Sequence, residues 1–186
     1  MAHLPKEAKQ VFEGVVFDVY QWEQEMYDGT HETFEMLKRA DTAEVIAVKD
    51  DKILIQDQEQ PTKPRFLCLP GGRIEKGEEP QVGAERELLE ETGFVSDDWE
   101  LLHSVEPHAK YDWTIYVYFA RHCKFKQEQE LDAGEKIDLK WVTFDELLDL
   151  VDSGQMNWME QDLRMMLVRA KYHKLSYQEL KKKIFG

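Results

Sequence analysis

Apolar and polar residues alternate through much of the first third of the chain, which is the periodicity of β-strands. The segment VFEGVVFDVYQWEQE (residues 11–25) alternates in part and is rich in β-branched and aromatic residues. An Asp28-Gly29 turn signal follows, and ETFEMLKR (residues 32–39) can return as the partner strand. The pattern predicts an extra N-terminal antiparallel sheet over about residues 10–40.

Short apolar segments separated by turn residues predict a second group of strands. AEVIAV and KILIQ (residues 43–48 and 52–56) flank the polar KDD, which indicates a hairpin. RFLCLP (residues 65–70) ends at a proline followed by two glycines, which is typical of a short strand entering a loop. Further strands are predicted within residues 99–107, 112–125 and 137–144.

Helix signals separate and follow these strands. Pro80 suits the first turn of a helix and Gly93 suits its end, so we expect a helix over residues 80–92. Thr143 and Glu146 have the spacing of a capping box, which predicts a second helix over residues 144–151. The tail, residues 157–186, has helical periodicity with an expected break near Ser176. Strands, helix, strands, helix is the order of a mixed α/β (α+β) domain.

Composition and charge narrow the classes of function. The 186 residues, 42% of them hydrophobic, suit a single domain over residues 1–186. A net charge of −14 argues against general binding of nucleic acid or anionic membranes, and an anionic substrate would need bound cations or local arginines. No apolar run reaches the length of a membrane span. Two lone cysteines, Cys68 and Cys123, favour reduced thiols in a cytoplasmic protein.

The helix predicted at residues 80–92 carries an unusual concentration of carboxylates. Glu87 and Glu91 are four residues apart and share one face, and Glu90 lies beside them. Like charges one turn apart repel. Oxygen-only groups of this kind are ligands of Mg²⁺ or Mn²⁺, which would turn the repulsion into shared coordination. On the three glutamates alone, a solvated acidic face explains the pattern as well.

The residues around the helix favour the metal interpretation. Gly71 and Gly72 let backbone approach a ligand closely, and Glu78 and Arg86 can form an ion pair that holds the loop. Together the stretch resembles the signature of the Nudix hydrolases. The positions that carry the resemblance are Gly72, Glu78, Arg86, Glu87, Leu88, Glu90, Glu91, Gly93 and Phe94, the last aromatic where an aliphatic residue is commoner.

The resemblance implies a Nudix fold, in which helices sandwich a mixed β-sheet. It implies a core at about residues 41–152, preceded by the β extension at about 10–40. The helical tail at about residues 155–186 has no assigned counterpart.

The resemblance also implies a mechanism, in which divalent metals bind a diphosphate and water attacks one phosphorus. By position, Glu87 and Glu91 are expected to be metal ligands, and Glu90 a ligand or an orienting partner. The carbonyl of Gly71 is a further expected ligand. Arg86 is expected to hold Glu90 or Glu78.

The general base is expected on the loop before the last core strand. Glu135 is the first candidate, followed by Glu130 and Glu128, and an ordinary acidic loop is the alternative.

The long N-terminal sheet resembles that of ADP-ribose and nucleotide-sugar pyrophosphatases, in which it often exchanges across a two-fold homodimer. Arg39 lies where that branch keeps a phosphate-contacting arginine. The arginine that the branch has after its hairpin is missing, and Arg65 is the candidate replacement, with a surface role as the alternative. Trp22 is a candidate to stack on a base, although strand aromatics are more often core residues.

The leading hypothesis is therefore a metal-dependent pyrophosphohydrolase acting on ADP-ribose or a similar nucleoside diphosphate derivative. The alternatives are a nucleoside triphosphate pyrophosphatase and a non-catalytic nucleotide-sensing domain, although the complete set of box glutamates argues against the latter. An isomerase on the same fold would use a catalytic cysteine, for which Cys68 is the candidate.

Overall fold

The computed structural model describes residues 4–107 and 109–186, which form a mixed α+β fold. The strands are β1 (Lys9–Phe12), β2 (Asp18–Glu25), β3 (His31–Lys38), β4 (Thr42–Lys49), β5 (Lys52–Gln60), β6 (Lys63–Cys68), β7 (Phe94–Val95), β8 (Asp98–Val105), β9 (Tyr111–Asp112), β10 (Ile115–Arg121), β11 (Lys124–Phe125) and β12 (Lys136–Val142). The helices are α1 (Pro80–Thr92), α2 (Phe144–Asp152), α3 (Gln161–Tyr172) and α4 (Lys174–Phe185).

The central sheet has the strand order β12-β5-β4-β10-β8, with β6 paired to β5 as well. β4 and β10 are parallel, and the other pairs are antiparallel. β5 pairs with β4 at its beginning and with β6 from Gln56 onward. The chain after β6 then runs beside β4, where Pro70 and Gly72 accept hydrogen bonds from Val45 and Ala43. This route places the glycine pair directly on the central sheet.

Helices cover both faces of this sheet, as the resemblance implied. On one face Val45 packs with Ala84 and Leu88 of α1. On the other face Ile46 packs in the core that includes Leu163 of α3 and the apolar residues of α2 and α4. Adjacent residues of β4 point to opposite faces because side chains alternate along a strand. The predicted sandwich of a mixed sheet between helices is therefore confirmed.

The N-terminal sheet has the order β1-β2-β3-β9. Its first three strands are antiparallel, as predicted, but β9 joins the edge of β3 in parallel, so the sheet is mixed. The continuous strand expected over residues 11–25 is two strands, because the chain turns after β1. In that turn the backbone N–H of Gly14 donates to Asp18 Oδ1 at 3.2 Å.

The helix boundaries follow the predicted cap residues in α1 and α2. α1 ends where predicted, since Gly93 has a φ of 75° and its N–H donates to the carbonyl of Leu89. The Thr143 hydroxyl accepts from the N–H of Glu146, and the Glu146 carboxylate accepts from the N–H of Thr143, which completes the predicted capping box.

The helical tail breaks at His173 instead of near Ser176. His173 has extended backbone angles (φ −127°, ψ 109°), so it ends α3 and begins α4. Its ring nitrogen accepts from the N–H of Ser176 at 3.3 Å, which makes Ser176 part of the first turn of α4. The break therefore lies three residues before the position expected from the sequence.

None of the described helices is long and apolar enough to cross a membrane. Cys68 and Cys123 are unpaired and buried. Burial raises the pKa of both thiols, that of Cys123 to about 11, which keeps them in the unreactive thiol form. Cys68 therefore does not suit the catalytic role that an isomerase would require.

The buried carboxylate of Glu160 fixes α3 to the rest of the fold. It accepts from the N–H groups of Asp162 and Leu163 at 2.7 and 2.8 Å, and from His103 Nε2 at 2.7 Å. The Glu160 N–H in turn donates to Glu44 at 2.9 Å. The C-terminal helices are thus tied by polar contacts to β4 and β8.

We expect Glu160→Ala to lower the free energy of unfolding by about 2–3 kcal/mol, because it leaves the buried N–H of Leu163 and the partly buried N–H of Asp162 without an acceptor. Thr143→Ala removes an exposed cap and should cost about 1 kcal/mol. Urea unfolding of both variants measures the difference. Equal losses would show that Glu160 is no more than an ordinary helix cap.

Candidate active site

A cleft of about 570 Å³ lies between the β5–β6 hairpin, the glycine loop after β6, the outer face of α1 and the loop before β12. Its walls contain carboxylates from α1 and from the loop: Glu87, Glu90, Glu91, Glu130, Asp132 and Glu135. Its walls also contain four cationic side chains: Arg39, Lys63, Arg73 and Arg86. The cleft therefore brings together both signs of charge from segments distant in sequence.

Glu91 is the most deeply held of these carboxylates, with only 5% of the residue exposed. Its Oε2 accepts from the backbone N–H of Gly71 and from Gln56 Nε2, both at 2.8 Å. No described residue donates to its Oε1, which is left for the cleft. Burial raises the pKa of Glu91 to about 8, and nearby Glu87 and Glu135 act in the same direction. A solvated acidic face is therefore the wrong interpretation for this glutamate.

The glycine pair allows this close contact between loop, sheet and helix. Gly71 has a φ of 144°, and a Cβ there would lie 2.1 Å from the carbonyl oxygen of Ala43. A Cβ at Gly72 would lie 2.5 Å from the carboxylate of Glu87. The backbone of β4 therefore excludes a side chain at Gly71, whereas a side chain at Gly72 would displace the carboxylate of Glu87.

Arg86 lies at the centre of the acidic face and contacts more carboxylates than the sequence suggested. It pairs with Glu78 at 3.0 Å, as expected, and also with both Glu87 (2.9 Å) and Glu90 (3.0 Å). Its remaining donor bonds the carbonyl of Arg73 at 2.8 Å. The carboxylate of Glu78, followed by that of Glu87, raises the pKa of Arg86. Arg86 offsets part of the repulsion within α1 and ties the helix to the glycine loop.

The loop before β12 is attached to the C-terminal end of α1. The Gln129 side chain donates to the carbonyl of Glu91 at 2.6 Å, and the N–H of Glu130 donates to the carbonyl of Glu90 at 2.8 Å. Burial, followed by Asp132 and Glu90, raises the pKa of Glu135. Glu135, Glu130 and Asp132 line the cleft.

Several other site residues predicted from the sequence lie outside the cleft. Glu128 and Arg65 are not among the residues that line the cleft, and Arg65 pairs instead with Asp57 at 2.5 Å and with Asp138. Trp22 packs against Phe34 with ring centroids 5.9 Å apart, outside the cleft.

Arg39 does line the cleft and is stacked over the ring of Trp113 at 4.4 Å. Its buried Nε has no hydrogen-bond partner among the described residues. Burial and the neighbouring Arg73 lower the pKa of Arg39, and no carboxylate offsets them. Sequence reasoning missed Arg73, Asp132, Gln56 and Lys63, which no pattern in the chain connects to the helix.

The donor chemistry of the cleft fits a hard divalent cation, because its acidic residues offer only oxygen atoms. Burial raises the pKa of Glu87 as it does that of Glu91, so the charged form of both carboxylates is penalised. In the described chain, no three acidic, histidine or cysteine side chains yet converge closely enough to hold an ion. Arg86 contacts Glu87 and Glu90, while Gly71 and Gln56 contact Glu91.

A helix with this spacing of arginine and glutamates, braced by two glycines on a mixed sheet between helices, defines a hydrolase of the Nudix class. The model of the NUDIX domain matches residues 38–161, and the chain belongs to this family. Nudix hydrolases generally use divalent metal ions. This chain is a Nudix hydrolase related to ADP-ribose pyrophosphatase.

Two bacterial relatives match most of the chain. ADP-ribose pyrophosphatase of Bacillus subtilis (strain 168) is 30% identical over 152 residues, which cover 80% of this chain and 82% of that protein. Methanol dehydrogenase activator of Bacillus methanolicus is 30% identical over 147 residues, which cover 77% of this chain and 80% of that protein. A solved ADP compounds hydrolase superimposes with a TM-score of 0.73 at 19% identity, covering 93% and 94% of the two chains. The last match supports the fold.

We expect Gln56→Met to raise the Mn²⁺ concentration needed for half-maximal activity about 10- to 100-fold, because Glu91 loses the donor that orients it. Gln58→Met is the matched control. Gln58 lies two residues along β5 and contacts the same Cys68 thiol at 3.5 Å, but it does not touch Glu91. Mn²⁺ binding followed by electron paramagnetic resonance gives a readout independent of turnover. Equal Mn²⁺ requirements in the two variants would contradict the role of Gln56.

Proposed function

We propose that this chain is a Mg²⁺- or Mn²⁺-dependent pyrophosphohydrolase acting on ADP-ribose or a related nucleoside diphosphate derivative. The products would be a nucleoside monophosphate and a phosphorylated moiety. The observation that carries the proposal is the cleft, in which seven carboxylates, the six named above and Glu75, lie beside cationic side chains. A diphosphate bound through metal ions needs both signs of charge. The similarity to ADP-ribose pyrophosphatase supports this class of substrate.

In this proposal Glu87, Glu90 and Glu91 hold the metal, together with the carbonyl of Gly71. Oε1 of Glu91 is the oxygen without a hydrogen-bond donor among the described residues. Glu87 and Glu90 each use one oxygen to accept from Arg86 and have a second one to offer. A bound divalent cation would neutralise charge on the phosphoryl oxygens and make a bound water more acidic.

Arg86 acts in this scheme as a positioning residue. It donates to Glu78 through Nε and Nη2, and to both Glu87 and Glu90 through Nη1, all within one rigid guanidinium group. A rigid fork fixes the relative positions of Glu87 and Glu90, which lie on adjacent turns of α1. Lysine at this position could not make the same contacts.

Glu135 remains the first candidate for the general base. Its raised pKa supports the assignment, because a base works best when its pKa is near the working pH. Glu130 is the second candidate, since it lines the same cleft. Arg39 is proposed to contact the phosphates, because it lines the cleft and its Nε has no hydrogen-bond partner among the described residues.

The main test is a product assay with ADP-ribose and Mg²⁺ or Mn²⁺, followed by ³¹P NMR or chromatography. We expect AMP and ribose 5-phosphate in equal amounts, and no activity after removal of metal with EDTA. Glu91→Gln should lower kcat at least 100-fold while keeping the folded structure by circular dichroism, because it removes a ligand and also a buried charge. Release of pyrophosphate from triphosphates at higher kcat/KM would instead favour a triphosphate pyrophosphatase.

We further propose that the protein is a homodimer built on the N-terminal sheet. Val11, Phe12, Val15 and Val16 are each more than half exposed on β1 and in the turn that follows it. β1 is also the edge strand of its sheet, and exposed apolar edges commonly pair with another chain. The predicted role of Trp22 in substrate binding depends on this dimer, because Trp22 lies outside the cleft of its own chain.

We expect the Val15→Asp/Val16→Asp variant to be monomeric by light scattering, whereas the wild-type protein has twice that mass. Leu175→Asp is the control, because it places the same charge on an exposed apolar position of α4, away from the N-terminal sheet. A wild-type monomer, or a dimer that survives both aspartates, would rule out this interface.

A further inference from the structure

Lys63 has no anionic partner among residues 4–107 and 109–186, although the chain has 38 acidic residues against 24 lysines and arginines. It is the first residue of β6 and lines the same cleft as the carboxylates of α1. Among the described residues, no carboxylate lies within ion-pair distance of its ammonium group. Other lysines near this hairpin are paired: Lys136 with Glu59, and Lys140 with Asp57.

Two aromatic rings hold the ammonium group of Lys63 in place. Its Nζ lies 4.7 Å from the ring centroid of Trp158 and 5.3 Å from that of Phe66. The two rings pack against each other with centroids 5.3 Å apart and planes inclined by 44°. Aromatic faces attract a cation without neutralising its charge. The full positive charge therefore remains available to a ligand.

The support for this arrangement comes from two separate parts of the chain. Phe66 and Lys63 belong to β6, whereas Trp158 lies in the connection between α2 and α3. A backbone bridge between Trp158 and Cys68 fixes that connection against the end of β6. Trp158 is 52% exposed, so its ring is not placed there by burial in a core.

The negative charge of the cleft explains why a cation is needed there. Seven carboxylates repel any anion that enters, and an anionic ligand needs fixed positive charge nearby. Arg86 cannot supply it, because three carboxylates already contact it. Arg65, on the same strand as Lys63, is occupied by Asp57 and Asp138.

We infer that Lys63, held by Phe66 and Trp158, is an anion-binding subsite of the cleft that takes phosphoryl oxygens of a nucleoside diphosphate derivative. The ligand class rests on the proposed function. Lys63 contacts the substrate, whereas Phe66 and Trp158 are positioning residues that act through it.

The experiment compares steady-state kinetics of Lys63→Met and Lys49→Met with ADP-ribose and Mg²⁺. Lys49 is the matched control, because it also lies over a ring (Phe94, 5.6 Å) without an ion pair among the described residues and does not line the cleft. We expect Lys63→Met to raise KM at least tenfold with less than a threefold change in kcat, and Lys49→Met to change neither. Lys63→Arg should restore most of the affinity, and Trp158→Leu should raise KM by a smaller factor.

Calorimetric titration with AMP in Mg²⁺ buffer separates this inference from the proposed function. Weaker AMP binding in Lys63→Met than in Lys49→Met supports the subsite, even if no derivative is hydrolysed and the proposed function fails. Hydrolysis of ADP-ribose with an unchanged KM in Lys63→Met overturns the subsite and leaves the proposed function standing. Thermal unfolding of each variant confirms that the comparison is made between folded proteins.

Discussion

The attachment of one buried carboxylate to a backbone N–H group is the constraint on which the rest of the site depends. Glu91 can accept from Gly71 only because the glycine loop runs beside β4 with no side chain in the way. Gln56 completes the contact from β5, so helix, loop and sheet meet at a single oxygen atom. The apolar face of α1, with Ala84 and Leu88, fixes the helix in the register that makes this meeting possible.

This arrangement brings negatively charged side chains close together, and a neighbouring arginine offsets part of their repulsion. Carboxylates one turn apart repel, and burial penalises their charged form, which is why the pKa of Glu91 is raised to about 8. Arg86 offsets part of the repulsion by contacting Glu78, Glu87 and Glu90 together. A divalent cation between the remaining oxygens, as proposed, would offset the rest, so binding of metal and burial of charge would be linked.

Single side chains show why sequence reasoning succeeded for the helix and not for the walls of the cleft. Glu87, Glu90 and Glu91 lie on one helix, where the spacing of residues in the sequence determines which side chains share a face. Arg65 and Lys63 are two residues apart on one strand, and nothing in the sequence says which is free. Arg65 is not free, because it pairs across the sheet with Asp138 on β12. Trp158 joins Lys63 from a part of the chain more than ninety positions away.

Most of the strands and helices, both bounds of α1, the capping box of α2 and the acidic face of the central helix could be predicted from the sequence, whereas the division of residues 11–25 into β1 and β2 could not. These features depend on contacts between residues that are close along the chain, where periodicity and cap residues are sufficient. Only the tertiary structure decided that Gln56 and Gly71 hold Glu91, that Gln129 ties the loop of Glu135 to α1, and that β9 completes the N-terminal sheet. Those contacts join distant segments, and packing of the whole sheet and its helices selects them from many equally compatible pairings.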